Sequence, residues 1–202
     1  LGAVIGPNLA ARTRDVFAVP FAGAYLALAV VAGLAMVLMA FLRFPPPTPR
    51  AELPPGRPML ELMRQPAFIV AAAAGALCYG VMNLLMASTP IAMQQCGLPF
   101  SDAALVLEWH VIGMFAPGFF TGSLIKRFGA LPVMGAGVLL NLGCIAVALS
   151  GVDLHQFLVA LFLLGVGWNF LFTGSTTLSL STYRPEERDK ALGALNFFVL
   201  GR

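Results

Sequence analysis

Glu108 and His110 stand two residues apart inside an apolar stretch, 103–125. Glu108 is the acidic residue that lies within a full apolar run and away from its ends. Burial disfavours the carboxylate and raises its pKa, which brings protonation into a range where it can cycle. An imidazole titrates near neutrality unaided. Both side chains are therefore candidates for carrying a proton. At i,i+2 on a helix they point to different faces, so no direct pair is expected. Each also has a plainer reading that stays open. Glu108 can reach along its stem to a water interface, and His110 can be a neutral, hydrogen-bonded histidine inside a bundle.

A second set of residues could bind rather than react. Tyr79 and Asn83 are i,i+4, and Asn169, Thr173 and Thr176 follow at i,i+4,i+7, so each set shares one helix face. Tyr79, Asn83, Trp168, Asn169 and Thr173 are the candidate substrate contacts. Amphipathic rings suit an organic ligand with an apolar body, and the amides supply donors and acceptors. The alternative is hydrogen-bonded glue between helices, at about 0.6–2 kcal/mol per contact, or bundle packing for Trp168. Met82, Met86 and Met93 fit core filling better than a binding surface.

Enzyme chemistry finds no foothold. The sequence has no HExxH, no GxSxG and no clustered metal ligands. Its histidines are His110 and His155, and Cys78, Cys96 and Cys144 form no disulfide or metal spacing. No catalytic residue, metal or cofactor is expected.

The elements that must hold these residues are transmembrane helices. Hydrophobic residues make up 59% of the 202 and charged residues 10%, against about 25% charged in a soluble domain. Too few charges are available to cover a surface facing water. A helical span needs about 20 mostly apolar residues. Full spans are expected over 19–42, 68–93, 103–125, 131–149 and 157–180, with partial helices over 1–11 and 191–202. The chain opens and closes inside apolar segments, so it is expected to be part of a longer protein. The fold class is all-α, a polytopic transmembrane bundle.

Polarity sorts the spans. Those over 19–42 and 131–149 are apolar nearly all round and fit lipid-facing helices. Those over 68–93, 103–125 and 157–180 carry polar groups at depth, which normally face a bundle interior or a wet cavity. A proline-rich stretch over 45–66, with eight prolines counting Pro66, reads as a stiffened linker. It separates the end of one bundle (1–44) from another (67–202), and 59–65 can form a short amphipathic turn on the membrane surface. Arg43 stands just before this linker and Arg50, Arg57 and Arg64 lie in it, Lys126 and Arg127 follow the third span, and Arg184, Arg188 and Lys190 follow the fifth. Basic residues are retained in the cytoplasm during insertion. The linker and the loops near 126–129 and 182–190 are therefore expected to be cytoplasmic. The net charge of +3 resides in loops and does not point to nucleic acid.

Two small-residue faces could let backbones approach closely: Gly2 and Gly6 before Pro7, and Gly118 and Gly122 after Pro117. Each proline can break or bend its helix. The run Gly2-Ala-Val-Ile-Gly6-Pro7-Asn-Leu-Ala10-Ala11 resembles the G-x-x-x-G-P-x-x-G-G motif of the proton-coupled antiporter branch of the major facilitator superfamily, with Ala10 and Ala11 replacing the last two glycines. Gly122-Ser-Leu-Ile-Lys126-Arg127-Phe-Gly129 is similar to the family's G-x-x-x-D-R-x-G loop motif, with Lys126 where the aspartate usually stands. A long linker followed by a helix opening at Gln65-Pro66 completes the likeness.

The resemblance implies a partial major-facilitator fold running from mid-helix 5 to early helix 11. It implies transport of a small organic or drug-like solute by alternating access, with proton coupling expected. Gly2, Gly6, Pro7, Gly118, Gly122 and Gly129 would serve conformational change at the interface between the halves, and Arg127 would brace the cytoplasmic gate. The implied partners are the solute, a proton and the lipid bilayer of the inner membrane, with a monomer as the full-length state. An uncoupled facilitator and a non-transporting receptor or scaffold stay open as alternatives. The isolated chain is not expected to transport.

Overall fold

The computed structural model describes residues 2–42 and 56–200. The described residues are helical with no strand, and the chain divides into two compact units, Leu1–Glu52 and Leu53–Arg202. Residues 43–55, most of the expected linker, lie outside the described residues.

The first unit holds α1 (Gly2–Thr13) and α2 (Ala22–Ala40). The backbone of α1 runs through Pro7 without a break. The chain reverses between the two helices at Phe21, whose φ of 65° is unusual for a residue with a side chain. The Phe21 N–H donates to the Arg14 carbonyl at 2.8 Å, and the Arg14 guanidinium lies over the Phe21 ring. A Cβ at Gly23 would strike the Thr13 carbonyl, so the two helix ends meet closely there.

The second unit is built around one helix. Its elements are α3 (Met59–Met63), α4 (Pro66–Gln95), α5 (Phe100–Phe115), α6 (Gly118–Phe128), α7 (Ala130–Ala148), α8 (Leu154–Leu180), a 3₁₀ turn (Pro185–Glu187) and α9 (Arg188–Leu200). Helices α4, α5 and α7 all pack on α8. Among the described residues, five segments are long and apolar enough to cross a membrane: α2, α4, α5 with α6, α7 and α8. The expected short turn before α4 is present as α3.

The third span departs from a single continuous helix. It is interrupted at Ala116–Pro117 and resumes as α6. Proline lacks the N–H of the helical ladder and its ring crowds the carbonyl four residues back. The short connection from α6 to α7 turns on Gly129, whose φ of 90° suits glycine alone.

Close packing, not apolar burial, must hold such a bundle, because lipid is as apolar as leucine. Small residues on α8 supply it. A Cβ at Gly165 would strike the His110 carbonyl of α5, and one at Gly113 of α5 would sit 2.8 Å from the Phe162 carbonyl of α8. On another face, a Cβ at Gly137 of α7 would lie 2.8 Å from the Gly167 carbonyl. Side chains fill the remaining spaces in clusters. Met93, Ala103, Val106 and Leu161 gather at one end of the unit, and Phe68, Ala72 and Leu195 at the other.

Candidate functional site

Helices α4 and α8, which carry most of the polar residues singled out as candidate contacts, pack on each other. Cys78 of α4 lies against α8, with its sulfur 3.8 Å from the Trp168 carbonyl. This contact sets the turn of α4 around Cys78 beside the turn of α8 that carries Trp168. The Trp168 indole stacks on Phe172, with ring centroids 4.7 Å apart and planes 8° from parallel. Its Nε1 is buried and has no acceptor among the described residues. Tyr79 is half-buried and Asn83 exposed, with the Asn83 amide nitrogen donating to the Tyr79 carbonyl at 3.0 Å. Thr173 is half-buried, and its carbonyl accepts from the Thr177 hydroxyl at 2.8 Å. A stacked aromatic pair with a buried donor suits a flat organic solute with polar edges.

Asn169 points elsewhere. It is buried, with its amide nitrogen 2.7 Å from the Met114 carbonyl and its oxygen 2.6 Å from the Thr121 hydroxyl. In this conformation its amide is engaged by α5 and α6.

The two candidate proton carriers have different surroundings. His110 is fully buried, and its Nδ1 lies 2.8 Å from the Leu161 carbonyl. A carbonyl oxygen only accepts, so Nδ1 carries the hydrogen. That leaves Nε2 as a buried lone pair with no partner among the described residues. Glu108, two residues earlier on α5, is half-buried.

A further polar cluster lies at the α3 and α9 end. Glu187 is fully buried. Its Oε1 accepts from the Arg57 backbone N–H at 2.8 Å and from Arg57 Nε at 2.9 Å. Its Oε2 accepts from Arg57 Nη2 at 2.8 Å and from the Arg184 backbone N–H at 3.0 Å. The hydrogen bonds from Arg57 hold this carboxyl well below the usual carboxylate range, helped by the Arg184 N–H, and the guanidinium pKa is raised in turn. Arg57 Nη2 and Gln65 Nε2 also donate to the Thr182 carbonyl, at 3.1 and 2.9 Å. Sequence reasoning took Arg57 and Arg184 only as positive charge and passed over Glu187. The available signal was a carboxylate pair, Glu186-Glu187, set inside an otherwise basic loop.

An apolar cavity of about 240 Å³ lies between α4 and α9, lined by Met63, Phe68, Ile69, Ala72, Ala76 and Phe198. It offers no polar group to orient a solute. No group of three or more His, Cys, Asp or Glu able to hold a metal occurs among the described residues.

The sequence profile of the Major Facilitator Superfamily matches residues 1–201. The chain belongs to the major facilitator superfamily. It is 42% identical to a riboflavin transporter of Brucella anthropi over 204 residues, covering 100% of this chain and 51% of that protein. It is 31% identical over 219 residues to an uncharacterized MFS-type transporter of Bacillus subtilis, covering 98% of this chain and 50% of that protein. The chain thus spans about half the length of the relatives it matches. No solved structure matches it.

The residues that carry the motif resemblance lie in α1, in α6 and at the turn after α6. Gly6 of α1 and Gly122 of α6 have no atom of the described residues within 4 Å of a Cβ position. Gly2 and Pro7 lie in α1, and their packing is outside the described side chains. Gly118 opens α6, with the Asn169 amide nitrogen 3.7 Å from its Cβ position. The Arg127 guanidinium lies 5.2 Å from the Phe128 ring centroid, just before Gly129. Among the described residues, the glycines that bring another backbone within 3.0 Å of a Cβ position are Gly23, Gly113, Gly137, Gly165 and Gly167, while Gly56, Gly151 and Gly174 come as close to side chains.

Proposed function

We propose that the full-length parent is a secondary transporter moving a flat heteroaromatic solute of the riboflavin class by alternating access, coupled to protons. The observation that carries this reading is the 42% identity, across the whole of this chain, to a riboflavin transporter. Riboflavin presents a planar ring with carbonyl edges and a polyol tail. Trp168 stacked on Phe172 would receive the ring, the Trp168 N–H its carbonyl edge, and Tyr79, Asn83 and Thr173 the polar remainder. Residues 1–44 would end one bundle, 67–202 would form most of the other, and the linker between them would be cytoplasmic in the inner membrane. Gly2, Gly6, Pro7, Gly118 and Gly122 would serve the interface and Arg127 the gate. Glu108 and His110 are the proton candidates.

The test is riboflavin uptake by proteoliposomes holding the full-length parent, with a pH-sensitive dye inside. Saturable uptake with dye response is the expected result. Trp168→Ala should raise KM about tenfold, the size of a lost aromatic stack of about 1–3 kcal/mol, while Trp168→Phe keeps most affinity. Loss of the dye response in Glu108→Gln or His110→Gln would place the proton there. Riboflavin flux without any dye response would make the parent a facilitator. No riboflavin flux would overturn the substrate reading.

A further inference from the structure

The third span is not one rigid rod, and its two parts are held differently. Across its break the helical ladder lapses. Ala116 N–H donates to the Ile112 carbonyl at 2.8 Å, and the next i→i−4 bond runs from Thr121 to Pro117, also at 2.8 Å. The carbonyls of Gly113, Met114 and Phe115 therefore lose the donors that a continuous helix would supply. Asn169 of α8 replaces one of them by donating to Met114. This fixes the amide orientation, since an oxygen placed there would repel the carbonyl. The Asn169 oxygen then faces Thr121, whose hydroxyl is 2.6 Å away and also 2.7 Å from the Pro117 carbonyl. One hydroxyl proton serves two acceptors, one on α8 and one at the break itself.

On the α5 side the attachment to α8 is tight. His110 donates to Leu161, and Gly113 and Gly165 bring the two backbones into contact. On the α6 side it is sparse. Phe119 is 95% exposed, and no Cβ neighbour lies near Gly122 among the described residues. An apolar groove of about 220 Å³ separates Leu124 and Phe128 of α6 from Pro132, Val133 and Ala136 of α7 and from Phe170 of α8. This open groove leaves the face of α6 toward α7 without close side-chain packing, whereas α5 is held against α8 by backbone contact.

We propose that Ala116–Pro117 is a hinge in the third span and that Asn169 and Thr121 form its clasp. In this arrangement α5 moves as one body with α8. The α6 segment, ending in Lys126 and Arg127, swings about the break into or out of the groove, and the Thr121 hydroxyl sets how freely. Asn169 is then a positioning residue for the moving segment. The hinge stands on local geometry and is independent of which solute the parent carries.

Nitroxide pairs in the full-length parent, with Cys78, Cys96 and Cys144 replaced, test this by pulsed distance measurement. A pair at Lys126 and Ser181 reports α6 against the end of α8. A pair at Ser101 and His155 reports α5 against the start of α8; all four positions are exposed. Thr121→Val keeps the shape and removes the hydroxyl. It should at least double the width of the Lys126–Ser181 distribution and leave Ser101–His155 unchanged, with Thr121→Ser matching the parent. An unchanged first pair, or both pairs broadening together, overturns the hinge. Should Thr121→Val fail to fold, hydrogen exchange on the unmodified parent decides. Exchange at least tenfold faster over 118–128 than over 103–115 supports the hinge, and equal protection overturns it.

Discussion

Glu187 gathers four donors on two oxygens and shares two of them with one guanidinium. A buried carboxylate is stable only when paired and hydrogen-bonded, and this one ties the 3₁₀ turn before α9 to the segment that leads into α4. Its folded pKa lies below its unfolded value, so its stabilisation is complete above the ordinary carboxylate pKa of about 4.3 and is lost as pH falls toward the depressed value. Arg57 stays charged throughout that window. Thermal melts of the full-length parent between pH 7 and pH 3 should therefore be flat from this pair down to about pH 5 and then decline. Glu187→Gln should melt lower at pH 7, and the gap to the parent should close as pH falls below about 4. A gap that widens in acid would show that the carboxylate is not the stabilising form. This pair was hidden in the sequence because its partners are 130 positions apart. Loop charges report sidedness and carry no information about which of them pair. His110 and Asn169 were legible as polar residues at depth, but their partners are a carbonyl of α8 in one case and the break before α6 in the other.

Among the elements, α8 makes the sharpest demand on sequence. Two backbone crossings converge on it, one with α5 at Gly165 and one with α7 at Gly167. Gly165→Ala would drive a methyl into the His110 carbonyl. Overpacking a tight contact costs about 1–3 kcal/mol, and neither rigid backbone can yield cheaply. Gly135 of α7 has nothing within 4 Å of its Cβ position among the described residues. Gly135→Ala should be neutral or stabilising by up to about 1 kcal/mol through helix propensity. Unfolding of the two variants in the full-length parent, followed by denaturant titration in detergent, should separate them in that order. Equal effects would remove the close α5–α8 approach as a structural constraint. Periodicity and length gave the spans to within a few residues, since twenty apolar residues admit little but a helix. The glycines that matter were less visible. The GxxxG pairs at Gly2/Gly6 and Gly118/Gly122 drew attention by spacing. Gly113 and Gly165 act singly and owe their role to a partner helix. Pro117 did announce a bend, while Pro7 left α1 continuous.

At the scale of the molecule, charge and geometry agree on two distinct ends of the second unit. Arg57, Gln65, Thr182 and Glu187 lie together at one end, where α3, the start of α4 and the end of α8 converge. Met93, Ala103 and Leu161 mark the other, where α4 ends and α5 and α8 begin. Arg57, Arg64, Arg184, Arg188 and Lys190 belong to the first end, whereas the stretches 96–102 and 149–156, each a loop with the start of the next helix, hold Asp102 and Asp153 and no Lys or Arg. Insertion retains basic loops in the cytoplasm, so Cys96 should face outward. The chain carries its own reporters for this. Cys96 is exposed just past the end of α4, while Cys78 and Cys144 are buried within helices. A membrane-impermeant maleimide applied to intact cells making the full-length parent should label a site that Cys96→Ser removes, and neither Cys78→Ser nor Cys144→Ser should change the signal. A cysteine placed at Lys126 should react only after permeabilisation. If Cys96 reacts only in permeabilised cells and the Lys126 position reacts in intact ones, the parent sits the other way up. The Arg57–Glu187 pair would then face outside, and solute entering from the cytoplasm would meet the Met93–Leu161 end first.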